Sequence, residues 1–134
     1  MAYSIMEVQG IGPVYTEKLS VEHVNNTDDL LVRCGTPAGR KDIAGRTGIS
    51  ETLLLKWANH ADLMRISGIG PQFAELLEAS GVDSVRELRT RNGENLHATV
   101  CEVNGKKLLS GSNPTQEMVK SWIEQAGVLE PSVS

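Results

Sequence analysis

One tight turn occurs twice in this chain, and it constrains the fold more than any other feature. The residues Gly10-Ile11-Gly12-Pro13 return 58 positions later as Gly68-Ile69-Gly70-Pro71. Glycine permits positive φ and close backbone approach, and proline fits the first position of a helix. Each copy therefore predicts a sharp turn into a helix, whose free N–H groups can hold an anion such as phosphate. Matching apolar residues surround the copies: Ile5, Val8, Tyr15, Leu19 and Val24 in the first, and Leu63, Ile66, Phe73, Leu77 and Val82 in the second.

The similarity of the two halves extends to a helix that carries a tryptophan. Ser50 precedes Trp57 by seven residues, as Thr115 precedes Trp122. Hydroxyl side chains are favoured N-caps, so we expect the tryptophan helices at 50–61 and 115–126. Duplication of a unit of about 60 residues, with pseudo-twofold packing of the copies, is the simplest explanation. It divides the chain into residues 1–61 and 62–134, which together form one compact domain.

Helical signals dominate the rest of the chain, and no segment shows sustained strand alternation, so we expect an all-α fold. Ser4 and Glu7 have capping-box spacing, and Asp62 is the equivalent cap candidate in the second half. Further helices are predicted at 13–22, 27–33, 40–47, 71–80, 84–91 and 95–104. An exposed loop is expected at 105–113, and a frayed tail at 131–134.

The stretch from Met64 to Leu77 resembles a helix-hairpin-helix motif, which many DNA-repair proteins use to grip the DNA backbone without reading sequence. Met6 to Leu19 resembles it too, although Thr16 stands where the second copy has Ala74. The pair is also similar to an uncharacterised bacterial family of tandem helix-hairpin-helix proteins, a domain of unknown function. This resemblance implies a SAM-like helical bundle of two pseudo-symmetric repeats.

The resemblance also implies a site. Backbone N–H groups of the turns and helix starts would bind DNA phosphates in any sequence, at Gly10, Gly12, Val14, Tyr15, Gly68, Gly70, Gln72 and Phe73. A monovalent cation, K⁺ or Na⁺, would bind main-chain carbonyls of the second turn, at Met64, Ile66 and Ile69; their counterparts in the first are Met6, Val8 and Ile11.

Several residues at the turns depart from the pattern of DNA-gripping copies. Those copies commonly place Lys or Arg just after the turn, where this chain has Gln72 and Val14. The alternative is that the turns are corners between packed helices, with Tyr15 and Phe73 as core or interface anchors. The protein would then be a protein-interaction or scaffold module that keeps the fold without binding DNA.

Charge gives nucleic-acid binding little help, because the formal net charge is −4. Residues 1–62 carry six basic and eight acidic groups, and residues 63–134 carry seven and nine. Local clusters can still add non-specific affinity. The supplementary basic candidates are Arg40, Lys41, Arg46, Arg86 and Arg89. The alternative for these residues is a solvated helix face paired with nearby carboxylates.

Catalytic and metal-binding patterns are missing from the sequence. His23, His60 and His97 have no metal-ligand spacing, and no nucleotide-binding glycine loop or nucleophile motif occurs. We therefore expect a non-enzymatic protein without a side-chain metal site. Cys34 and Cys101 are isolated, which favours reduced thiols. No apolar run reaches the ~18 residues of a membrane span, and no leader is evident, so we expect a cytoplasmic protein.

Overall fold

The computed structural model describes residues 2–134, and this part of the chain is all-helical, as predicted. Its only extended pairing among the described residues is one antiparallel bridge between Ser4 and Asn26. A 3-10 helix at Ile5–Glu7 precedes eight α-helices: α1 (Pro13–Val21), α2 (Thr27–Cys34), α3 (Pro37–Thr47), α4 (Glu51–Leu63), α5 (Pro71–Ala79), α6 (Val85–Leu88), α7 (Gly93–Lys107) and α8 (Gln116–Val128).

Polar side chains fix where most of these helices begin. In α2, α3, α4, α6, α7 and α8, the side chain before the helix accepts a hydrogen bond from a first-turn N–H. Ser50 and Thr115 act in this way, which confirms the predicted caps of the tryptophan helices. Helices α1 and α5 differ, because each begins with proline after glycine and has no side-chain cap.

Buried apolar residues form two clusters along the chain. The first core lies within residues 5–61 and also takes in Val133, and the second core lies within residues 63–126. Trp57 is a large buried residue of the first core, and Trp122 has that place in the second. Both tryptophans are 1% exposed, so each indole ring contributes most of its apolar surface to a core.

The predicted cap at Asp62 is wrong. Helix α4 continues to Leu63, so Asp62 lies inside its last turn rather than before a new helix. Its buried carboxylate pairs with Arg65 and accepts a hydrogen bond from the Ser132 N–H at 3.1 Å. By contrast, the Ser4 N–H donates to Glu7 Oε2 at 3.1 Å, as the predicted capping box requires.

The C-terminal tail is ordered against the first half, and the prediction that it frays is wrong. Val133 is 8% exposed and packs in the first core. The Ser134 N–H donates to Gly35 O at 2.8 Å. A side-chain contact also joins the halves, since His60 Nε2 lies 2.6 Å from Glu78 Oε2. The tail therefore ties α8 to the core formed by the opposite end of the chain.

Helices α6 and α7 differ in length from their predictions. Helix α6 ends at Leu88, while α7 runs from Gly93 to Lys107 and takes in the start of the predicted loop. Asn92 accepts hydrogen bonds from two first-turn N–H groups of α7, which explains its early start. The loop after α7 is held by Asn104, whose Oδ1 accepts from the Ser110 N–H at 2.9 Å.

Candidate nucleic-acid interface

The two glycine turns have nearly the same backbone conformation. Gly10 has φ +92° and Gly68 has φ +95°, both in the left-handed region. Gly12 has φ −90° and ψ −172°, and Gly70 has φ −98° and ψ −170°. Only the first glycine of each turn thus needs a conformation that L side chains rarely adopt.

Backbone hydrogen bonds also match from one turn to the other. Val8 N donates to Ile5 O at 3.2 Å, and the corresponding bond of the second turn, 58 residues on, is 3.0 Å. The bond from Ile11 N to Val8 O has the same length, 3.1 Å, as its counterpart. The two turns therefore have the same backbone conformation, although the preceding segment is a 3-10 helix in the first and the end of α4 in the second.

Amide groups at both helix starts are free to bind. The first helical bond of α1 is Thr16 N to Gly12 O, and that of α5 is Ala74 N to Gly70 O. Apart from those of Ile11 and Ile69, the N–H groups from the first glycine of each turn to that bond have no acceptor among the described residues, and glycine offers no side chain to cap them. The free groups belong to the eight residues predicted to bind the DNA backbone: Gly10, Gly12, Val14, Tyr15, Gly68, Gly70, Gln72 and Phe73.

An aromatic pair supports each turn from below. Tyr15 packs on Trp57 with ring centroids 5.0 Å apart, and Phe73 packs on Trp122 at 5.3 Å. Tyr15 and Phe73 are half-buried. Their rings are thus anchors that position the helix starts, as one of the sequence alternatives expected. This packing leaves the neighbouring Val14 and Gln72 exposed to solvent.

The second turn borders two cavities that residues of the first half help to line. One, of ≈ 510 Å³, is lined by Glu7, Ser110 and the turn from Gly68 to Phe73. The other, of ≈ 550 Å³, is lined by Tyr3, Glu7, Arg65 and neighbouring residues. A carboxylate beside the helix N-terminus disfavours an incoming phosphate. Glu7 therefore brings a negative charge to the cavity at the second turn, and it is also three residues from the first turn.

The first turn is more open. No atom lies within 4 Å of the position that a Cβ on Gly12 would take, and Val14 is 66% exposed. At Gly70 the hydroxyl of Tyr3 lies 3.8 Å from the equivalent position. The N-terminal segment thus lies beside the second turn, whereas no atom contacts the equivalent position at the first.

One predicted basic residue, Arg40, is buried, and its guanidinium is held by backbone oxygens. Arg40 is 7% exposed, because its guanidinium donates to the backbone oxygens of Cys34, Gly35 and Ser134. These bonds explain why a residue in an apparently basic helix turns inward. The neighbouring Lys41 is exposed.

The other predicted basic residues lie outside the two cavities at the second turn. Arg46 pairs with Asp42 at 3.0 Å, and this hydrogen bond and charge raise the pKa of the guanidinium. Arg89 donates to Leu129 O at 2.8 Å, and Arg86 is exposed. Arg65, which sequence reasoning missed, lines the second cavity, although it stands in the motif-like stretch itself.

Two of the three carbonyl residues predicted to bind a cation, Met64 and Ile66, line the second cavity. Ile66 O already accepts a hydrogen bond from Ile69 N at 3.1 Å. A carbonyl oxygen has a second lone pair, so this bond leaves it able to contact an ion. The cation remains a prediction.

Titratable side chains do not gather into a metal-binding group of three or more within residues 2–134. His97 and Cys101 are neighbours on α7, with Nε2 and Sγ 3.4 Å apart, but Nε2 also lies 3.0 Å from Pro114 O. Cys34 is fully buried, and burial raises its pKa to about 11. Both cysteines are free thiols, as predicted.

A helix that crosses a membrane must be both long and apolar. Within the described part of the chain, none of the helices combines the length and the apolar character that crossing a bilayer requires.

Comparison with known proteins gives one family. No solved structure matches the chain significantly. The family described as Domain of unknown function (DUF4332) matches residues 9–129, which include both glycine turns and both tryptophan helices. Because this match spans most of the sequence, the chain belongs to the DUF4332 family.

Proposed function

We propose that this protein is a non-enzymatic DNA-binding protein that grips the phosphate backbone through its two glycine turns, in the manner of paired helix-hairpin-helix motifs. The ligand is the sugar-phosphate backbone, so binding is independent of base sequence. Residues 1–61 and 62–134 would be the two repeats, each supplying one grip.

A single observation carries the proposal. Among the α-helices of the described residues, α1 and α5 are the two that start without a side-chain cap. All other α-helices here have one. A missing cap leaves first-turn N–H groups unsatisfied at the positive end of the helix dipole. A phosphate oxygen satisfies both the hydrogen-bonding groups and the dipole. The two uncapped helices are also the two that follow Gly-Ile-Gly-Pro.

The positions of the turns suit a shared ligand. Glu7 lines the cavity at the second turn and lies three residues before Gly10 of the first. Three residues of extended chain reach at most about 10 Å. This short chain distance supports the proposal that one DNA molecule contacts both turns.

Charge sets the expected strength of the interaction. Arg40 is buried and Arg46 is ion-paired, so few free cations support the turns. Affinity would come mainly from backbone amides and helix dipoles. We expect dissociation constants of about 10⁻⁴ to 10⁻⁶ M, the ordinary range of non-specific DNA binding.

A protein-interaction module is the second candidate, and exposed apolar side chains favour it. Val14 is 66% exposed at the first turn, and Met6 is 54% exposed on the 3-10 helix that leads to it. Exposed apolar side chains beside a binding site are typical of surfaces that bind proteins rather than phosphates. In that case the free N–H groups would donate to backbone or carboxylate oxygens of the partner.

Fluorescence anisotropy of labelled DNA separates the two candidates. The full chain would be titrated into duplexes of unrelated sequence, and into single strands, at low and near-physiological salt. DNA binding predicts similar micromolar affinities for the unrelated duplexes and weaker binding as salt rises. A protein showing no anisotropy change with any DNA at low salt would leave the protein-interaction module as the function.

A further inference from the structure

The indole N–H of each tryptophan points at the first glycine of a turn. A Cβ placed on Gly68 would lie 2.9 Å from Trp122 Nε1, but 3.8 and 3.9 Å from the flanking Cδ1 and Cε2. Because the N–H bond bisects the angle between those two carbons, these distances direct it at the turn. At Gly10 the nearest atom to the equivalent position is Trp57 Nε1, at 3.3 Å. Both turns thus have an indole donor beneath them.

Neither indole N–H has a hydrogen-bond acceptor among residues 2–134, although both tryptophans are 1% exposed. The fully enclosed side-chain atoms without a partner are Thr16 Oγ1 and His60 Nδ1, so both indole nitrogens keep an opening to solvent. Both indole N–H groups are therefore donors without a partner among the described residues, at equivalent places beside the two turns.

We propose that Trp57 and Trp122 each donate the indole N–H to an oxygen of the oxyanion bound at the glycine turn above them. This inference rests on the proposed function and adds to it a side-chain donor for each phosphate. One phosphate oxygen accepts from the free amides at the helix start. A second oxygen of the same phosphate accepts from the indole.

The indole N–H makes each glycine turn selective for ligands that accept hydrogen bonds. The indole nitrogen is a donor without acceptor capacity. It therefore favours an anionic oxygen at the turn and offers nothing to a bound cation. It also gives Gly10 and Gly68 a second role, because any side chain there would fill the space into which the N–H points.

Titration by ¹H–¹⁵N NMR tests the inference on the wild-type protein. The chain has two tryptophans, so its spectrum contains two indole cross-peaks. The probes are inorganic phosphate and a short DNA duplex, each compared with chloride at equal ionic strength. We expect both indole peaks to shift saturably, with the same dissociation constant as the amides of Val14 and Gln72.

Two other results would overturn the inference, and they are distinguishable. If the turn amides shift while both indole peaks stay in place, the backbone grip stands and the indole contact is wrong. If neither set shifts with phosphate or DNA, the grip and the indole contact are both wrong.

The DNA affinities of two variants give an independent test of the indole contact. Trp122→Phe removes the donor and keeps an aromatic ring, so we expect affinity for the duplex to fall about tenfold, as for loss of a hydrogen bond to a charged group. Ile123→Val disturbs packing against the same core without removing a donor, and we expect less than about a twofold change. Equal losses in two folded variants would contradict a role for the N–H; the wild-type titration decides the matter if Trp122→Phe does not fold.

Discussion

At the scale of single residues, the two glycines of each turn have different roles. Gly68 has φ +95° and lies against Trp122, so it forms the bend. Gly70 has φ −98°, a conformation open to any residue, and has only the Tyr3 hydroxyl near its Cβ position. The first glycine is thus required by the fold, whereas the second keeps the helix start accessible.

Alanine substitutions should separate these roles by stability. Gly68→Ala forces a side chain into the left-handed region and against the indole, so we expect the free energy of unfolding to fall by about 2 kcal/mol. For Gly70→Ala we expect a change below about 0.5 kcal/mol. Urea denaturation followed by circular dichroism measures both. Equal stability of the two variants would show that the bend does not depend on Gly68.

The burial of the Cys34 thiol can be tested through the pH dependence of stability. Burial raises the pKa of Cys34 from 9.0 to about 11, which outweighs the opposing charges of Arg33 and Arg40. The folded chain therefore keeps this proton when the unfolded chain loses it, so a stabilising contribution present below pH 9 disappears as pH rises to about 11. Urea melts at pH 8 and pH 10 should show a larger loss for wild type than for Cys34→Ala. Equal losses would contradict the burial of this thiol.

At the scale of elements, local signals predict helix starts well. Ser50 and Thr115 are caps as expected, since an N-cap depends on a hydrogen bond within one turn. The two turns could also be predicted, because glycine permits the positive φ of the bend and proline fixes φ at the start of the helix. Contacts between residues distant in the sequence could not be predicted: the bond from Arg40 to Ser134 O, the bond from the Ser132 N–H to Asp62, and the packing of Val133. None of these has a local signature.

Adding a cap to an uncapped helix should raise stability and lower DNA affinity together. Gly12→Ser places a neutral acceptor at the start of α1, and Gly12→Asp adds a negative charge there. Each side chain would occupy the free N–H groups, and we expect a stability gain of a few tenths of a kcal/mol. Binding, measured by anisotropy, should weaken for Gly12→Ser and more strongly for Gly12→Asp.

The matched control for this pair is Gly45→Ser, at an exposed position within α3 with no atom near its Cβ site. We expect it to leave DNA affinity unchanged. If Gly12→Asp bound DNA as tightly as the control, the start of α1 would not be the grip.

At the scale of the whole molecule, the tail holds the two halves in one arrangement. Val133 enters the first core, while Ser132 contacts Asp62 and Arg65 near the second turn. Arg40 completes the connection through Ser134 O at 2.6 Å. The spacing of the two turns therefore depends on contacts of a tail that lies outside both of them in the sequence.

The substitution Arg40→Ala tests how much the contact between the tail and the first half contributes to stability. It removes three hydrogen bonds to backbone oxygens, of which only Gly35 O keeps a bond from the Ser134 N–H, so we expect the free energy of unfolding to fall by about 3 kcal/mol. Lys41→Ala, its exposed neighbour, should change stability by less than about 0.5 kcal/mol. Thermal unfolding followed by circular dichroism compares the two. Equal melting temperatures for both variants would show that the buried guanidinium contributes little.

The most direct test of the central claim is the anisotropy of a labelled duplex with wild type and with the double variant Gly12→Val/Gly70→Val at low salt. Neither substitution requires a strained backbone, since both glycines have negative φ. If the turns grip phosphates, the double variant will fold like wild type and lose at least about tenfold in affinity for every sequence. Unchanged affinity in the folded double variant would contradict the claim that these turns bind DNA.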